Sequence, residues 1–440
     1  MQNELNNSIL KNFIKYVSFN VISMIGFSCY ILADTFFVAN GVGSIGLTAL
    51  NLVLPVYSFV SGIGLMIGMG AATKYSILRG RNNEKGANKV FTYAIIMGVL
   101  IGIILTVIGM FFSYDIATLL GADADVNPLA GMYLKTILMF SCAFILNNIM
   151  VCFVRNDNSP NLSMIAMLLA SLSNIILDYV FIFPLNIGMF GAAFATGLAP
   201  IFSLLVLSLH LIKKRNNFKL VRCNINKSYI KSIILLGIPS FITEFSSGII
   251  MLVFNFTILS ISKNIGVAAY GIIANLALIV VAIFTGIAQG IQPIISKNYG
   301  QGKNDNVKKT YHYALITAAI LGSLCYLIGV LFSKEIINIF NKEQNQLLLG
   351  MADEGIKIYF IAFFIMGLNI VTTSFFASIN KPRESFIISI MRGCIAILPL
   401  IVILPKMFGM IGVWTTIPLA ELITLILSIK LYYKNRIVFK

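Results

Sequence analysis

The chain is organised as long apolar runs separated by short polar segments. Each run has about 20 residues or more, the length that an α-helix needs to cross a hydrocarbon core of ~30 Å. Twelve such runs occur, at approximately 13–37, 46–72, 90–113, 129–154, 161–183, 189–212, 230–260, 267–295, 310–333, 354–379, 385–404 and 410–433. Residues are 58% hydrophobic and 11% charged, against about 25% charged in a soluble domain. The pattern predicts an all-α membrane protein with twelve transmembrane helices.

Basic and acidic loop residues lie on opposite sides of the predicted membrane. With the N-terminus placed in the cytoplasm, most of the 32 Lys and Arg residues fall in cytoplasmic segments, whereas acidic loop residues gather on the other side. This asymmetry is the positive-inside signature. It predicts a multi-pass protein of the cell (inner or plasma) membrane with both termini cytoplasmic. The net charge of +16 is thereby explained as topology, so no nucleic-acid partner is predicted.

The two halves of the sequence repeat at an offset of about 220 residues. Asn158 and Pro160, for example, match Asn380 and Pro382. Six spans in each half make a parallel repeat, in which two six-helix bundles are related by a pseudo-two-fold axis along the membrane normal. The predicted division is an N-terminal bundle at 1–212, a basic cytoplasmic linker at 213–231 and a C-terminal bundle at 232–440. Two such bundles suit alternating access, in which one bundle rocks against the other.

Two acidic residues lie inside the predicted spans of the first half. Asp178 follows Asn174 by four residues, so both lie on one helix face. Asp34 and Asp178 both fall in the outer half of spans that run in the same direction, so they could meet within the N-terminal bundle. A carboxylate there costs several kcal/mol unless it is paired, hydrated, protonated or bound to a cation. Such a pair could hold a proton, or Na⁺ with help from oxygens of Asn174 and Thr196. The alternative for Asp178 is a carboxylate that simply reaches interfacial water.

Three further charged residues lie in the interior of spans of the second half, away from the span ends. Glu244 follows Gly237 and Pro239 near the predicted membrane centre, where it could attract an organic cation or make a structural hydrogen bond. Arg392 and Glu421 are predicted to neutralise each other. The cysteines are scattered without CxxC spacing, and the two histidines have no partner spacing, so no disulfide or metal framework is predicted.

Several stretches resemble the multidrug and toxic compound extrusion (MATE) family. Their motifs are most similar to those of its MepA-like branch. Residues 153–160 (FVRNDNSP) are similar to the family's "VRadGnP" loop, and residues 286–293 (GIAQGIQP), followed by 298–300 (NYG), to its span-eight signature. Asn174 and Asp178 resemble its N-x-x-x-D fifth span, and residues 33–38 its first span. The resemblance covers essentially the whole chain. It does not extend to the proline that often bends the family's first span, because residues 16–20 (YVSFN) contain none.

The resemblance implies an antiporter that exports lipophilic, mostly cationic drugs in exchange for H⁺ or Na⁺. By the same resemblance, the coupling ion would bind at Asp34, Asn174, Asp178, Thr196 and Tyr133, and Asp34 and Asp178 would be metal ligands only if the ion is Na⁺. The substrate cleft is predicted to include Glu244, Gln289, Asn147 and Asn369. We expect no cofactor and a monomer in the lipid bilayer.

The main alternative is a flippase for a lipid-linked saccharide, which has a related architecture. A flippase should carry a more basic centre to hold a pyrophosphate, whereas the charges inside these spans are mostly acidic. A membrane-embedded enzyme is disfavoured, because the sequence has no HExxH, GxSxG, P-loop or Cys–His pairing. A channel is disfavoured by the two-half design. The sequence does not choose between H⁺ and Na⁺.

Overall fold

The computed structural model describes residues 2–224, 226–341 and 344–435, and these form helices with no strand among them. The helices are α1 (Gln2–Gly41), α2 (Ser44–Gly80), α3 (Glu84–Leu119), α4 (Asn127–Met139), α5 (Ser141–Asn156), α6 (Pro160–Ile182), α7 (Gly188–Ile212), α8 (Lys227–Gly300), α9 (Asn304–Leu331), α10 (Ser333–Phe340), α11 (Gln346–Tyr359), α12 (Phe363–Ser378), α13 (Pro382–Ile390) and α14 (Ile397–Asn435). A 3₁₀ turn joins α11 to α12, and a π-helical turn follows α13.

Twelve membrane spans can be counted in the described part of the chain. Nine continuous helical stretches are long and apolar enough to cross a membrane, and α4 with α5, bent by 49°, makes a tenth. Two of the nine are broken in the middle, α8 at Lys263 (φ 52°) and the last stretch at Gly409 (φ 58°). Dividing them at these breaks gives twelve spans at the predicted positions, which confirms the twelve-helix, all-α fold class. Glycine suits the second break because it adopts positive φ without steric cost.

The internal repeat is visible in the backbone as well as in the sequence. Asn158 and Asn380 both adopt positive φ, at 64° and 59°. Each is followed two residues later by a proline in the first turn of the next helix, Pro160 in α6 and Pro382 in α13. Asparagine tolerates the left-handed conformation that ends a helix, and proline is pre-organised for a first turn. The repeated residues therefore direct the same helix–turn–helix geometry twice.

The chain divides into two compact units. The first unit is Ile22–Phe245 with Ser296–Gly302, and the second is Met1–Val21, Ser246–Ile295 and Lys303–Lys440. In this grouping, residues 2–21 fall with the later part of the chain and residues 232–245 with the earlier part. The predicted division at 1–212, 213–231 and 232–440 stays a prediction.

Within the first unit, α1 and α6 pack closely along their lengths. The backbone of α1 approaches Leu168 at Gly26 and Ile182 at Gly41 so closely that a β-carbon at either glycine would clash with these α6 side chains. Small residues permit such close approach between membrane helices. The contact brings the polar residues of α1 and α6 to a common level.

Residues 216–224 of the predicted linker are docked on α3. Main-chain N–H groups of Lys219 and Val221 donate to Asn88 Oδ1 and Thr92 Oγ1, each at 3.0 Å. Phe218 is fully buried. Segment 216–224 therefore belongs to the first unit by hydrogen bonding and by packing.

Candidate ion-binding and substrate site

Asp34 of α1 and Asp178 of α6 lie within electrostatic range of each other in the first unit. Asp178 is fully buried and Asp34 is 8% exposed. Helical periodicity directs Asp178 and Asn174 of α6 inward together, because they are one turn apart. The close packing of α1 on α6 supplies the other carboxylate. Two acidic side chains that are 144 positions apart in the sequence thus share one poorly hydrated site.

Three polar side chains complete this site. Asn174 Nδ2 donates to Asp178 Oδ2 at 3.0 Å, and the Asn174 amide oxygen accepts from Thr196 N at 3.2 Å and Thr196 Oγ1 at 3.3 Å. The Tyr133 hydroxyl is hydrogen-bonded to Thr196 and lies within electrostatic range of both carboxylates. We call Asp34, Tyr133, Asn174, Asp178 and Thr196 the acid cluster. The structure brings together all five residues predicted for the coupling ion.

The acid cluster retains unused capacity to accept hydrogen bonds or a cation. Asp34 Oδ1 and Asp178 Oδ1 are both buried and have no hydrogen-bond partner among the residues that the structure describes. A buried carboxylate oxygen without a partner is costly. A proton on either carboxyl, or a hard cation that prefers oxygen ligands, would remove that cost. Carboxylate oxygens of this kind accept a proton or bind a hard cation, so the chemistry of Asp34 and Asp178 does not choose between H⁺ and Na⁺.

Glu244 also lies in the first unit, on the opening part of α8. Its carboxylate is hydrogen-bonded to the Ser61 side chain of α2. Tyr57, one turn before Ser61 on α2, lies within electrostatic range of both Glu244 and Asp34. Glu244 is therefore a second acidic site, separate from the acid cluster, with Tyr57 in reach of both.

Aromatic rings surround the segment that carries Glu244. Phe241 and Phe245 stack on each other, with centroids 5.5 Å apart, and both make edge contacts with Phe59 of α2 at 5.7 and 5.8 Å. A carboxylate beside aromatic faces can attract a lipophilic cation through both charge and ring quadrupole. Phe241 and Phe245 flank Glu244 in the sequence, so a carboxylate and aromatic rings occur together on this part of α8.

The other residues predicted for the substrate cleft belong to both units. Asn147 of α5 is partly buried in the first unit, and its Oδ1 is buried without a hydrogen-bond partner among the described residues. Gln289 is partly buried in the second unit. Asn369, also in the second unit, is fully buried and donates to Glu421 Oε2 at 2.8 Å, while its Oδ1 accepts from Ser428 Oγ. The Asn369 amide is thus engaged by neighbouring helices in this structure.

The predicted pairing of Arg392 with Glu421 is confirmed. Arg392 Nε donates to Glu421 Oε1 at 2.6 Å, and the Glu421 side chain is 2% exposed. Together with Asn369, this ion pair satisfies a carboxylate that would otherwise be buried alone.

A family model described as MatE matches residues 20–180 and 239–403, which is more than half of the chain. The chain belongs to the MatE family. Its members are transporters, and this chain is a multi-pass membrane transporter of that family. "Multidrug export protein MepA" of Staphylococcus aureus (strain MSSA476) is 27% identical over 394 residues, covering 89% of this chain and 86% of the relative. The protein of the same name from Staphylococcus saprophyticus is 26% identical over 392 residues, again covering 89% and 86%.

The MatE fold is also found among solved structures. One described as the "Outward-facing conformation of a multidrug resistance MATE family transporter of the MOP superfamily" superposes with a TM-score of 0.91. The superposition covers 98% of this chain and 96% of the other at 21% sequence identity, so it shows a common fold.

Sequence reasoning missed a hydrogen-bonded tyrosine pair in this MatE chain. The hydroxyl oxygens of Tyr30 on α1 and Tyr57 on α2 lie 2.7 Å apart. The available signal was that Tyr30 precedes Asp34 by four residues and so shares its helix face. Nothing in the sequence indicates that Tyr57 lies opposite.

A second missed network surrounds Asp157, in the turn after α5. Its Oδ1 accepts from Tyr75 Oη at 3.1 Å and Asn217 Nδ2 at 3.0 Å, and its Oδ2 accepts from His210 Nε2 at 3.0 Å and Asn217 N at 2.7 Å. Burial alone would raise the pKa of the Asp157 carboxyl, but the hydrogen bonds from His210 and Asn217 outweigh burial and hold the pKa below its usual range. Asp157 thereby fastens the linker to the bundle.

Proposed function

We propose that this MatE transporter is an ion-coupled antiporter that exports lipophilic, mostly cationic drugs in exchange for H⁺ or Na⁺. The observation that carries the proposal is the buried pair of Asp34 and Asp178, each with a carboxylate oxygen lacking a partner among the described residues. Export of drugs is the activity in the name of the MepA relatives. The acidic site at Glu244, with its neighbouring aromatic rings, supports a cationic substrate.

Ion binding changes the net charge of the acid cluster. With both carboxylates ionised, two like charges share a desolvated site, which is unfavourable. A bound proton or Na⁺ removes one charge and uses the free oxygens. A ligand shifts a conformational equilibrium by its difference in affinity for the two states. Occupancy of the acid cluster can therefore bias alternating access of the two predicted bundles.

The flippase alternative receives no support from the buried charges of the second unit. A flippase needs cationic groups free to bind a pyrophosphate, and Arg392 is already neutralised by Glu421 at 2.6 Å. We therefore retain drug export as the proposed activity, in the cell membrane with both termini cytoplasmic.

Transport in vesicles with each gradient imposed separately tests this function. The full-length protein is reconstituted, and ethidium transport is measured with a pH gradient alone and with a Na⁺ gradient alone. We expect one gradient to drive transport. Asp178→Asn should abolish that transport, because a neutral amide cannot alternate between charged and ion-bound forms.

The matched control is Asp115→Asn, which removes an exposed carboxylate at the end of α3. It should transport like the wild type. Insertion and folding of both variants are checked by size-exclusion chromatography. Gradient-driven ethidium transport by a folded Asp178→Asn protein would exclude the acid cluster as the coupling site. A wild type that responds to neither gradient would exclude ion-coupled export altogether.

A further inference from the structure

The first turns of α8 carry a stripe of residues that share one helix face and line an open groove of about 300 Å³. The members of this α8 stripe are Lys227, Ile230, Lys231, Ile234 and Leu235. Their spacing of i, i+3, i+4, i+7 and i+8 is that of a single helix face. Both lysines are exposed, and Leu235 is 41% exposed. The α8 stripe therefore changes from basic to apolar as the helix enters its predicted span at residue 230.

The opposite face of the same turns is occupied by packing within the first unit. The Tyr229 ring stacks on Tyr93 of α3, with centroids 5.8 Å apart. One turn further along α8, the Ile233 carbonyl oxygen lies so close to Gly70 of α2 that a β-carbon at this glycine would clash with it. Ile233 itself is fully buried. Because this face is fixed against α2 and α3, the α8 stripe is held facing away from them.

The two lysines of the α8 stripe have no counter-charge from the protein. The side chains of Lys227 and Lys231 make no ion pair or hydrogen bond with any residue that the structure describes. Residues one helical turn apart have β-carbons about 5–6 Å apart, so both ammonium groups can reach the same anion. The hydrocarbon part of a lysine side chain can extend along apolar surface. A ligand with an anionic group and a hydrocarbon tail therefore matches both halves of the stripe.

We propose that the α8 stripe binds an anionic phospholipid of the cytoplasmic leaflet. The phosphate group lies between the ammonium groups of Lys227 and Lys231, and an acyl chain runs along Ile230, Ile234 and Leu235. The cytoplasmic leaflet carries anionic lipids that attract basic residues beside a transmembrane helix. The inference depends on the proposed cytoplasmic orientation of the termini but not on ion coupling or on the nature of the drug.

A second pair of lysines in the first unit provides a matched control. Lys85 and Lys89 are also exposed and one turn apart, in the first turns of α3. The positions equivalent to Ile230 and Ile234 on this face are Asn88 and Thr92. Their side-chain oxygens accept the main-chain N–H groups of the linker. The α3 pair thus has the charge and spacing of the α8 stripe without its apolar half.

Lipid binding by the purified full-length protein tests the proposal. The protein in detergent micelles is titrated with a fluorescent phosphatidylglycerol, and in parallel with a phosphatidylcholine that has the same acyl chains and fluorophore. We expect the wild type to bind phosphatidylglycerol more tightly. Each lysine near an anionic lipid surface strengthens the attraction about fivefold. Lys227→Gln combined with Lys231→Gln should therefore weaken phosphatidylglycerol binding about 25-fold, whereas Lys85→Gln combined with Lys89→Gln should leave it close to the wild-type value.

Three results would overturn the proposal. Equal affinity of the wild type for the two lipids would exclude recognition of the anionic headgroup. Equal weakening in the two double variants would reduce the effect to general attraction between a basic surface and an anionic lipid. Displacement of phosphatidylglycerol by excess glycerol phosphate would assign a site for free anions in place of a lipid site. All four substitutions replace exposed side chains, and size-exclusion chromatography checks the fold. Because the assay measures no transport, its result is independent of ion-coupled export.

Discussion

Asp157→Asn is the substitution whose consequence follows most directly from the geometry. The carboxylate of Asp157 is 4% exposed and receives four hydrogen bonds, two on each oxygen. An asparagine of the same shape keeps one acceptor oxygen, and its NH₂ group faces donors on the other side. Two charge-assisted hydrogen bonds are lost and their donors are left buried.

The cost can be estimated from those two bonds. A hydrogen bond to a charged group contributes about 1.5 kcal/mol or more, so the variant should lose about 3 kcal/mol. Part of this loss falls on segment 216–224, because Asn217 supplies two of the four donors. One of the two lost bonds is donated by Asn217, so the segment loses about 1.5 kcal/mol, which increases its opened fraction about 10-fold.

Limited trypsin digestion measures this opening locally. Lys219 and Arg222 have exposed side chains on a docked backbone, so cleavage there requires the segment to detach. When opening is fast relative to cleavage, the rate follows the opened population. We expect faster cleavage after these residues in Asp157→Asn, and unchanged cleavage in the exposed-site control Asp115→Asn. Equal rates in Asp157→Asn and wild type would refute the assignment of Asp157 as the anchor of the linker.

The stabilisation that the Asp157 carboxylate provides should depend on pH. Its pKa is lower in the folded protein than in the unfolded chain, where an aspartate titrates near 3.9. Its contribution to the free energy of unfolding is therefore complete above about pH 4 and is lost as the pH falls through the folded-state pKa. The linker should become more sensitive below pH 4, as measured with an acid-active protease, and Asp157→Asn should remove this dependence.

Two other substitutions probe the remaining acidic sites. Glu244→Gln should raise the KM for ethidium, because it removes the charge that attracts the cation; an unchanged KM would assign Glu244 a structural role. Arg392→Met should lower the free energy of unfolding by about 3–5 kcal/mol, because it leaves Glu421 buried without its partner. Adding Glu421→Gln should restore part of that loss in thermal melts, and a double variant no more stable than Arg392→Met would contradict this explanation.

Much of the architecture could be predicted because the bilayer constrains sequence so strongly. In a bilayer, an apolar run of about 20 residues must pair its backbone N–H and C=O groups with each other. The α-helix is the structure in which a single run can do so alone. The twelve runs therefore map onto twelve helices without knowledge of their packing. Asp34 and Asp178 stood out for the same reason, since a carboxylate in such a run is costly without a partner. Asn158 and Asn380 match in the sequence repeat, and the structure places both at positive φ in equivalent turns.

Contacts between helices were decided by the tertiary structure. Which side chains meet depends on how each helix is rotated about its axis and on where small residues such as Gly26 and Gly41 let two helices approach. No local sequence pattern encodes these rotations and helix–helix distances. The pairing of Tyr30 with Tyr57 and the approach of Ser61 to Glu244 follow from that packing. So does the docking of the linker through Asp157, whose partner His210 lies 53 residues away. The sequence by itself determined the spans and the acidic residues within them, whereas packing decided which polar groups those residues face.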